Sequence, residues 1–389
     1  MNLIYSVIVL CATGMYLPES PAPVMSTKNS TQNILILGGN GFLGSSLVAK
    51  IVQFHRYKVT TLNRGRQYFD SKTRVEPNVH QILCDRSAIY DCADLLTSSE
   101  YYDAVVDFSS YYMEDMQEIL NALRGRIGRY IFISSDSVYE VCIKTSHNGP
   151  SREEDAVRPR DPRARHDLNM RDYYGHQKLG CEEVLENERR YSGINFISLR
   201  LPDVIGPRDT TNRFWNYQLW LLTHRLDESL GPVHLNPNEN RPISFVYSED
   251  ISELIIQLFN SDLDVYNDAY NVAFPPVTLE EFLKIMAESL GIDIKYKRTN
   301  EANIHWYPSV TRGPLNTTKV FDMLNWQPSS IEVAVRHSCE FFKHAMSVEE
   351  FQRRRDDILR RYLPNREARD AFLKRQIGHK ELQQPTTSL

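Results

Sequence analysis

Asn33-Ile34-Leu35-Ile36-Leu37-Gly38-Gly39-Asn40-Gly41-Phe42-Leu43-Gly44 is the stretch that decides the fold. Its first five residues are a short apolar run, suited to a strand buried on both faces. Ser45 to Phe54 then places Leu47, Val48, Ile51 and Phe54 on one side of a helix. Glycines at 38, 41 and 44 fill the turn between the two elements. Gly38 allows the tight turn, Gly41 lets a pyrophosphate approach the backbone, and Gly44 lets helix and strand pack closely. The anion rests on free N–H groups at the helix N-terminus. Gly38, Gly39, Asn40, Gly41, Phe42, Leu43 and Gly44 are therefore candidate dinucleotide contacts.

Working outward, strands alternate with helices. Lys58–Leu62, Val79–Leu83, Ala104–Phe108, Tyr130–Ser134 and Asn195–Leu201 read as strands. Met113–Leu123 and Tyr174–Arg190 read as helices between them. Such alternation predicts right-handed βαβ units and a doubly wound parallel sheet, an α/β Rossmann fold. After Leu201 the chain turns rich in Pro, Asn and aromatic residues, which predicts a smaller, loop-rich C-terminal substrate lobe. Thr278, with Glu281 three residues on, starts a further helix. The expected organisation is a leader or alternative N-terminus (1–32), a dinucleotide-binding domain (33–205), a substrate lobe (206–345) and a charged helical tail (346–389). Segments near 243–275 are expected to return to the Rossmann sheet. The tail is expected to be a solvated helix, because charge runs usually mark solvated faces.

The second strand ends Asn63-Arg64. An acid there holds the ribose 2′-hydroxyl of NAD and repels a 2′-phosphate, whereas a guanidinium pairs with one. Asn63 and Arg64 therefore favour NADP, with NAD still open. Asp85, at the end of the third strand, is placed to meet the adenine edge or to cap the segment after it.

Tyr174 and Lys178 lie four residues apart on one helix face. An isolated tyrosine, of pKa about 10, is a poor proton donor or acceptor at neutral pH. A neighbouring ammonium favours the phenolate and lowers that pKa, and Lys178 can also bond the nicotinamide ribose. Ser134-Ser135-Asp136-Ser137, at the end of the fifth strand, offers a hydroxyl to polarise a substrate carbonyl. Ser135 is the choice by position, with Ser134 and Ser137 as alternatives. The candidate catalytic set is Ser135, Tyr174 and Lys178.

The glycine turn, FISSDSVY, YGHQK and LRLPDVIGPRD (Leu199–Asp209) together resemble an extended short-chain dehydrogenase/reductase. More narrowly they are similar to the NAD-dependent epimerase/dehydratase family. FVYSEDISELI, YNVAF and TTKVFDMLNWQPSSIEVAV extend the resemblance to about Lys343. Asn63-Arg64-Gly65 and Asp107-Phe108-Ser109 depart from the nucleotide-sugar epimerases. They look more like a branch that includes bacterial reductase-like proteins and chloroplast stem-loop RNA-binding proteins. The resemblance implies hydride transfer on a carbonyl or alcohol, with Tyr174 moving the proton. Two alternatives stand beside this reading: a nucleotide-sugar epimerase or dehydratase that retains its cofactor, and a non-catalytic nucleotide-sensing or RNA-binding scaffold. Arg208 and Arg241 are candidates to grip a phosphate or carboxylate of a small-molecule substrate such as a nucleotide sugar. The charged segment from Ser135 to Tyr174, with Arg158 near its middle, reads as an active-site-edge loop.

Composition agrees with a globular enzyme. The 389 residues are 41% hydrophobic and 24% charged, with a formal net charge of −5 that argues against nucleic acid as a partner. Six cysteines without a CxxC or regular spacing argue against a disulfide framework or structural zinc, and predict free thiols. Leu3–Leu17 is mostly apolar but short of the ~20 residues of a spanning helix, and no basic residue precedes it. A cytoplasmic enzyme without an integral membrane domain is expected. The secretory pathway is the alternative if residues 1–24 act as a signal peptide, and a homodimer is left open. Asn29-Ser30-Thr31 and Asn316-Thr317-Thr318 fit the glycosylation sequon, which chance explains in a cytosolic chain.

Overall fold

A computed structural model describes residues 31–145, 147, 149–236, 240–299 and 309–381. Residues 1–30, which hold nearly all of the leader and the first two residues of the first sequon, and the last eight residues lie outside the described residues. Strands run β1 (Gln32–Leu37), β2 (Tyr57–Asn63), β3 (His80–Leu83), β4 (Ala104–Asp107), β5 (Arg129–Ser135) and β6 (Asn195–Leu201). They continue as β7 (Asp203–Ile205), β8 (Val233–Leu235), β9 (Phe245–Tyr247), β10 (Asp268–Asn271) and β11 (Tyr296–Arg298).

Seven strands form one parallel sheet in the order β10-β6-β5-β4-β1-β2-β3. The order reverses between β1 and β4, and a ligand crevice opens at such a switch point, beyond the strands' carboxyl ends. Ile34, Leu35, Ile36 and Leu37 are all buried, as expected of a strand covered on both faces. Ile34 and Ile36 face one hydrophobic layer with Leu47, Val48 and Ile51 of the Phe42–Ile51 helix. Leu35 and Leu37 face the other, with Met116, Ile119, Cys181 and Leu185. The alternation follows from the period of two along a strand.

Asp268–Asn271 joins the sheet beside β6. Phe245–Tyr247 does not; it pairs with β7 in a separate two-stranded sheet. Phe214, Trp215, Phe282 and Phe342 centre a second core, that of the smaller C-terminal part. Thr278 and Glu281 form the anticipated reciprocal cap of the Leu279–Leu290 helix.

Two expectations need correction. Within the 346–389 region the described residues do not form a free solvated tail. Ile358, Leu359, Leu363 and Phe372 are buried in the second core, and Arg355 donates to Met346 O at 2.6 Å. The apolar stripe at 358, 359, 362 and 363 has helical spacing, but dense arginines mask it in the composition. Nor are all cysteines free. Cys84 and Cys92 are disulfide-bonded with Cα atoms 5.6 Å apart, because the turn after β3 folds the chain back on itself. Cys142, Cys181 and Cys339 are free and buried.

Candidate active site

The glycine turn is tight for a stated reason. A Cβ on Gly44 would stand 2.3 Å from Gly38 O and 2.8 Å from Gly39 Cα, so only glycine lets the helix start this close to the strand. Gly38 has φ +84°, a left-handed conformation that glycine adopts freely. Gly41 precedes the Phe42–Ile51 helix without a side-chain cap, which leaves that helix end open to an anion.

In front of the turn lies a cavity of about 480 Å³. Gly38, Asn40, Gly41, Phe42, Leu43 and Gly44 line its floor, and Asn63, Arg64, Arg66, Asp85 and Ser87 its far end. Gly39 is turned away: a Cβ there would strike Thr61 of β2 at 2.6 Å. The Asn63 oxygen is committed to the loop, accepting from Asn40 Nδ2 at 3.1 Å and from Gly65 N at 2.8 Å. Arg64 and Arg66 are exposed at the rim. Arg66 carries no sequence motif of its own; only the fold of the 63–66 turn brings it to the cavity. Asp85 caps the following turn, accepting from Ser87 N and Oγ, and these bonds hold its carboxyl below the usual range.

Ser135, Tyr174 and Lys178 lie outside this cavity, beyond Tyr111, which lines it. The rings of Tyr111 and Tyr174 are 6.4 Å apart, and the Lys178 ammonium stands 5.3 Å from the Tyr111 ring. Asp172 starts the Tyr173–Ser192 helix by accepting from Gly175 N at 2.7 Å. Gly175 is required there, because a Cβ would meet Ser137 O at 2.1 Å. That contact pins the helix start to the end of β5, which brings Tyr174 against Ser135.

Among the serines, Ser134 Oγ donates to Glu182 Oε1 at 2.5 Å and is fully committed to the buried Glu182–Arg200 pair. Ser135 Oγ accepts from Ser137 N at 3.2 Å and reaches Asp136 at 3.3 Å. Asp136 is a further site residue that the sequence does not single out. Burial raises its pKa well above the usual range, the charges of Asp203 and Glu140 add to the rise, and Ser135 opposes it. Ser135 Oγ donates to this carboxyl, so the two groups form one polar pair at the end of β5.

The expectation that Lys178 lowers the Tyr174 pKa is not met. Tyr174 keeps 43% of its surface, but its hydroxyl end lies among protein atoms and burial raises its pKa. Tyr111 adds to the rise and the hydrogen bond with Ser135 opposes it. Lys178 is buried and donates instead to Ile133 O at 2.7 Å and Ser110 O at 2.9 Å. Burial lowers its own pKa to about 8.

One of the two candidate substrate arginines differs from expectation. Arg208 is held by Asp70 through two bonds of 2.6 and 2.5 Å and lies over the Phe341 ring, so it faces the protein rather than a ligand. Arg241 is half-buried. The segment between Ser135 and Tyr174 is a strap rather than an open loop. Arg158 binds it to the Tyr173–Ser192 helix through Glu183 at 2.5 Å and His176 at 3.0 Å. No helix among the described residues is long and apolar enough to cross a membrane.

Comparison with known proteins follows the same outline. Residues 34–273 match the NAD dependent epimerase/dehydratase family. Among solved structures, a UDP-N-acetylglucosamine 4-epimerase from Methanobrevibacter ruminantium M1, in complex with UDP-N-acetylmuramic acid, is 21% identical. It aligns over 80% of this chain and 98% of its own, with a TM-score of 0.61. A UDP-glucuronic acid 4-epimerase from Bacillus cereus, in complex with UDP-glucuronic acid and NAD, is 17% identical. That alignment covers 80% and 99%, with a TM-score of 0.61. A dTDP-glucose 4,6-dehydratase from Bacillus anthracis in complex with NAD is also 17% identical, covering 82% and 98%, with a TM-score of 0.60. A comparison with curated protein sequences finds no match.

Proposed function

The chain belongs to the NAD dependent epimerase/dehydratase family, and from that premise we propose that it binds NADP in the cavity before Gly38–Gly44 and acts on a carbonyl or alcohol at Ser135 and Tyr174. The cavity carries the reading: an open helix N-terminus on its floor, two exposed arginines at one end, and Ser135 and Tyr174 beyond the other. The backbone N–H groups of the turn bind a diphosphate, and Gly44 keeps that floor flat. Arg64 and Arg66 pair with a 2′-phosphate, and Asn63 presents no acid to repel it. When bound, the nicotinamide ring supplies hydride transfer at the substrate carbon.

Ser135 donates to the substrate oxygen, and Tyr174 moves the proton on that oxygen. Raised by burial, the Tyr174 phenol is a donor at rest, which suits reduction of a carbonyl. Its deprotonated form is favoured by a nearby cation, and Lys178, one helical turn on and bonded at rest to Ser110 O and Ile133 O, is proposed for that role. Lys178 is proposed also to bond the cofactor ribose. A nucleotide sugar is the second substrate reading, favoured by family membership and by the UDP sugars held by the structural neighbours.

Fluorescence titration with NADPH and NADH tests the cofactor assignment, and tighter NADPH binding supports it. Steady NADPH consumption over a panel of carbonyl substrates supports net reduction. Tightly retained cofactor with interconversion of a nucleotide sugar supports the second reading. Binding of neither dinucleotide refutes both.

A further inference from the structure

Asp107, the last residue of β4, is fully buried and accepts five hydrogen bonds. Ser109 N and Ser110 N donate to it at 2.8 and 2.9 Å, Arg86 Nη1 at 2.8 Å, Tyr130 OH at 2.6 Å, and Ser110 Oγ as well. A carboxylate offers about four lone-pair sites, so this one is saturated and the 107–110 turn has a single arrangement. Arg86 ties the same turn from the other side, donating to Ser109 Oγ at 2.9 Å and Asp115 O at 3.1 Å. The turn has two outward faces. Phe108 and Ser109 line the cofactor cavity, and the Ser110 carbonyl accepts from Lys178 Nζ at 2.9 Å.

We propose that Asp107, locked by Arg86, is the positioning residue for Lys178: it fixes the carbonyl that aims the ammonium and sets a buried negative charge in the same turn. The inference rests on the reading that Lys178 serves the cofactor site. Stability alone does not call for such a pair, because a buried ion pair is rarely more stable than well-packed apolar groups of the same volume. What the pair does provide is one rigid element that sets both the cavity wall and the catalytic lysine.

The surroundings of Lys178 support a charge role. The rings of Phe132 and Tyr111 lie 4.5 and 5.3 Å from its ammonium, and two carbonyls take two of its three protons. Burial lowers its pKa; Cys181, Asp107 and Glu182 oppose that fall, and Arg86 adds to it. Of the two carboxylates, Glu182 is bound by Arg200 and Ser134. Asp107 is paired as well, yet it stays ionised down to about pH 2: burial alone would raise it, but Arg86, Ser110 and Tyr130 outweigh that. Asp107 and Arg86 thus push Lys178 in opposite directions.

The test uses the full chain without cofactor, labelled with 13C,15N-lysine, and follows the Lys178 signal through a pH titration. Lys178→Arg assigns the signal. Asp107→Asn should lower the Lys178 midpoint by about one pH unit or more, since an opposite charge is lost and Arg86 is left facing the ammonium. Arg86→Gln should move the midpoint upward, and the double variant should return it toward the wild-type value. NADPH affinity of Asp107→Asn at pH 8 should fall at least fivefold. If Asp107→Asn does not fold, the upward shift in Arg86→Gln carries the test alone. A purely structural pair lowers the melting temperature and leaves the Lys178 midpoint unmoved in every variant, which overturns the proposal. Because the titration needs no cofactor, the clamp and the cofactor assignment fail separately: the latter fails when the wild-type chain binds neither NADPH nor NADH.

Discussion

Two alanine substitutions in the glycine turn should have opposite consequences. At Gly44 a Cβ would lie 2.3 Å from Gly38 O, 2.8 Å from Gly39 Cα and 2.9 Å from Gly38 C. All three are backbone atoms, so no side chain can swing aside, and the helix must back away from β1. Overpacking of this kind costs about 1–3 kcal/mol, and contact this close belongs at the upper end. At roughly 2–4 °C per kcal/mol, Gly44→Ala should melt about 6–12 °C below the wild-type chain. At Gly41 the nearest atom to a Cβ is Gly38 O at 3.3 Å, and φ is −72°, which any residue adopts. Gly41→Ala should therefore keep a melting temperature within about 2 °C of wild type. Its methyl group stands instead where a diphosphate must approach the helix end. NADPH affinity should fall at least tenfold, about 1.4 kcal/mol. Differential scanning fluorimetry and NADPH fluorescence titration read the two effects. Unchanged affinity in Gly41→Ala, or an unchanged melting temperature in Gly44→Ala, would refute the reasoning.

Arg64→Asp should shift preference from NADPH toward NADH by at least tenfold, and Arg66→Ala should weaken NADPH more than NADH; equal loss of both dinucleotides contradicts the 2′-phosphate assignment. Tyr174→Phe should lower turnover by roughly 10² while folding and cofactor binding barely change; wild-type turnover rules out Tyr174 as the proton-transfer group. Asp107 titrates at about 2 when folded against an ordinary value near 3.9, so it contributes roughly 2–3 kcal/mol above pH 4 that disappears as the pH falls toward 2. Urea unfolding of the wild type and Asp107→Asn should therefore differ at pH 6 and converge near pH 2; a constant gap contradicts the linkage.

The sheet was legible because its strands are local signals. Asn33–Leu37 is a short apolar run bounded by a turn, and it, Lys58–Leu62 and Asn195–Leu201 each lie within the strand observed. The glycine spacing at 38, 41 and 44 and the Thr278–Glu281 cap are equally local, readable from residues three apart. Apart from the Cys84–Cys92 pair, eight residues apart, the misreadings turn on long-range partners. Arg208 reads as a free cation until Asp70, 138 residues earlier, folds against it. Lys178 reads as a partner for Tyr174, four residues away, but its ammonium bonds carbonyls 45 and 68 residues distant. Ser134 and Ser135 are indistinguishable in sequence; the alternation of a strand sends Ser134 to Glu182 and leaves Ser135 beside Tyr174. The Asp136 pKa rises through its burial and through Asp203 and Glu140, and no spacing rule connects Asp203 to it. In the 346–389 region, arginine content hides a four-residue apolar stripe that packs against the second core.

A crystal structure of the chain with NADPH tests the central claim most directly. The account predicts the diphosphate against the backbone N–H groups at Gly41–Leu43 and the 2′-phosphate between Arg64 and Arg66. The nicotinamide should then lie past Tyr111, with Tyr174 and Ser135 facing the ring and Lys178 within hydrogen-bond reach of its ribose. Density for the dinucleotide elsewhere, or a nicotinamide end pointing away from Tyr174, would contradict it.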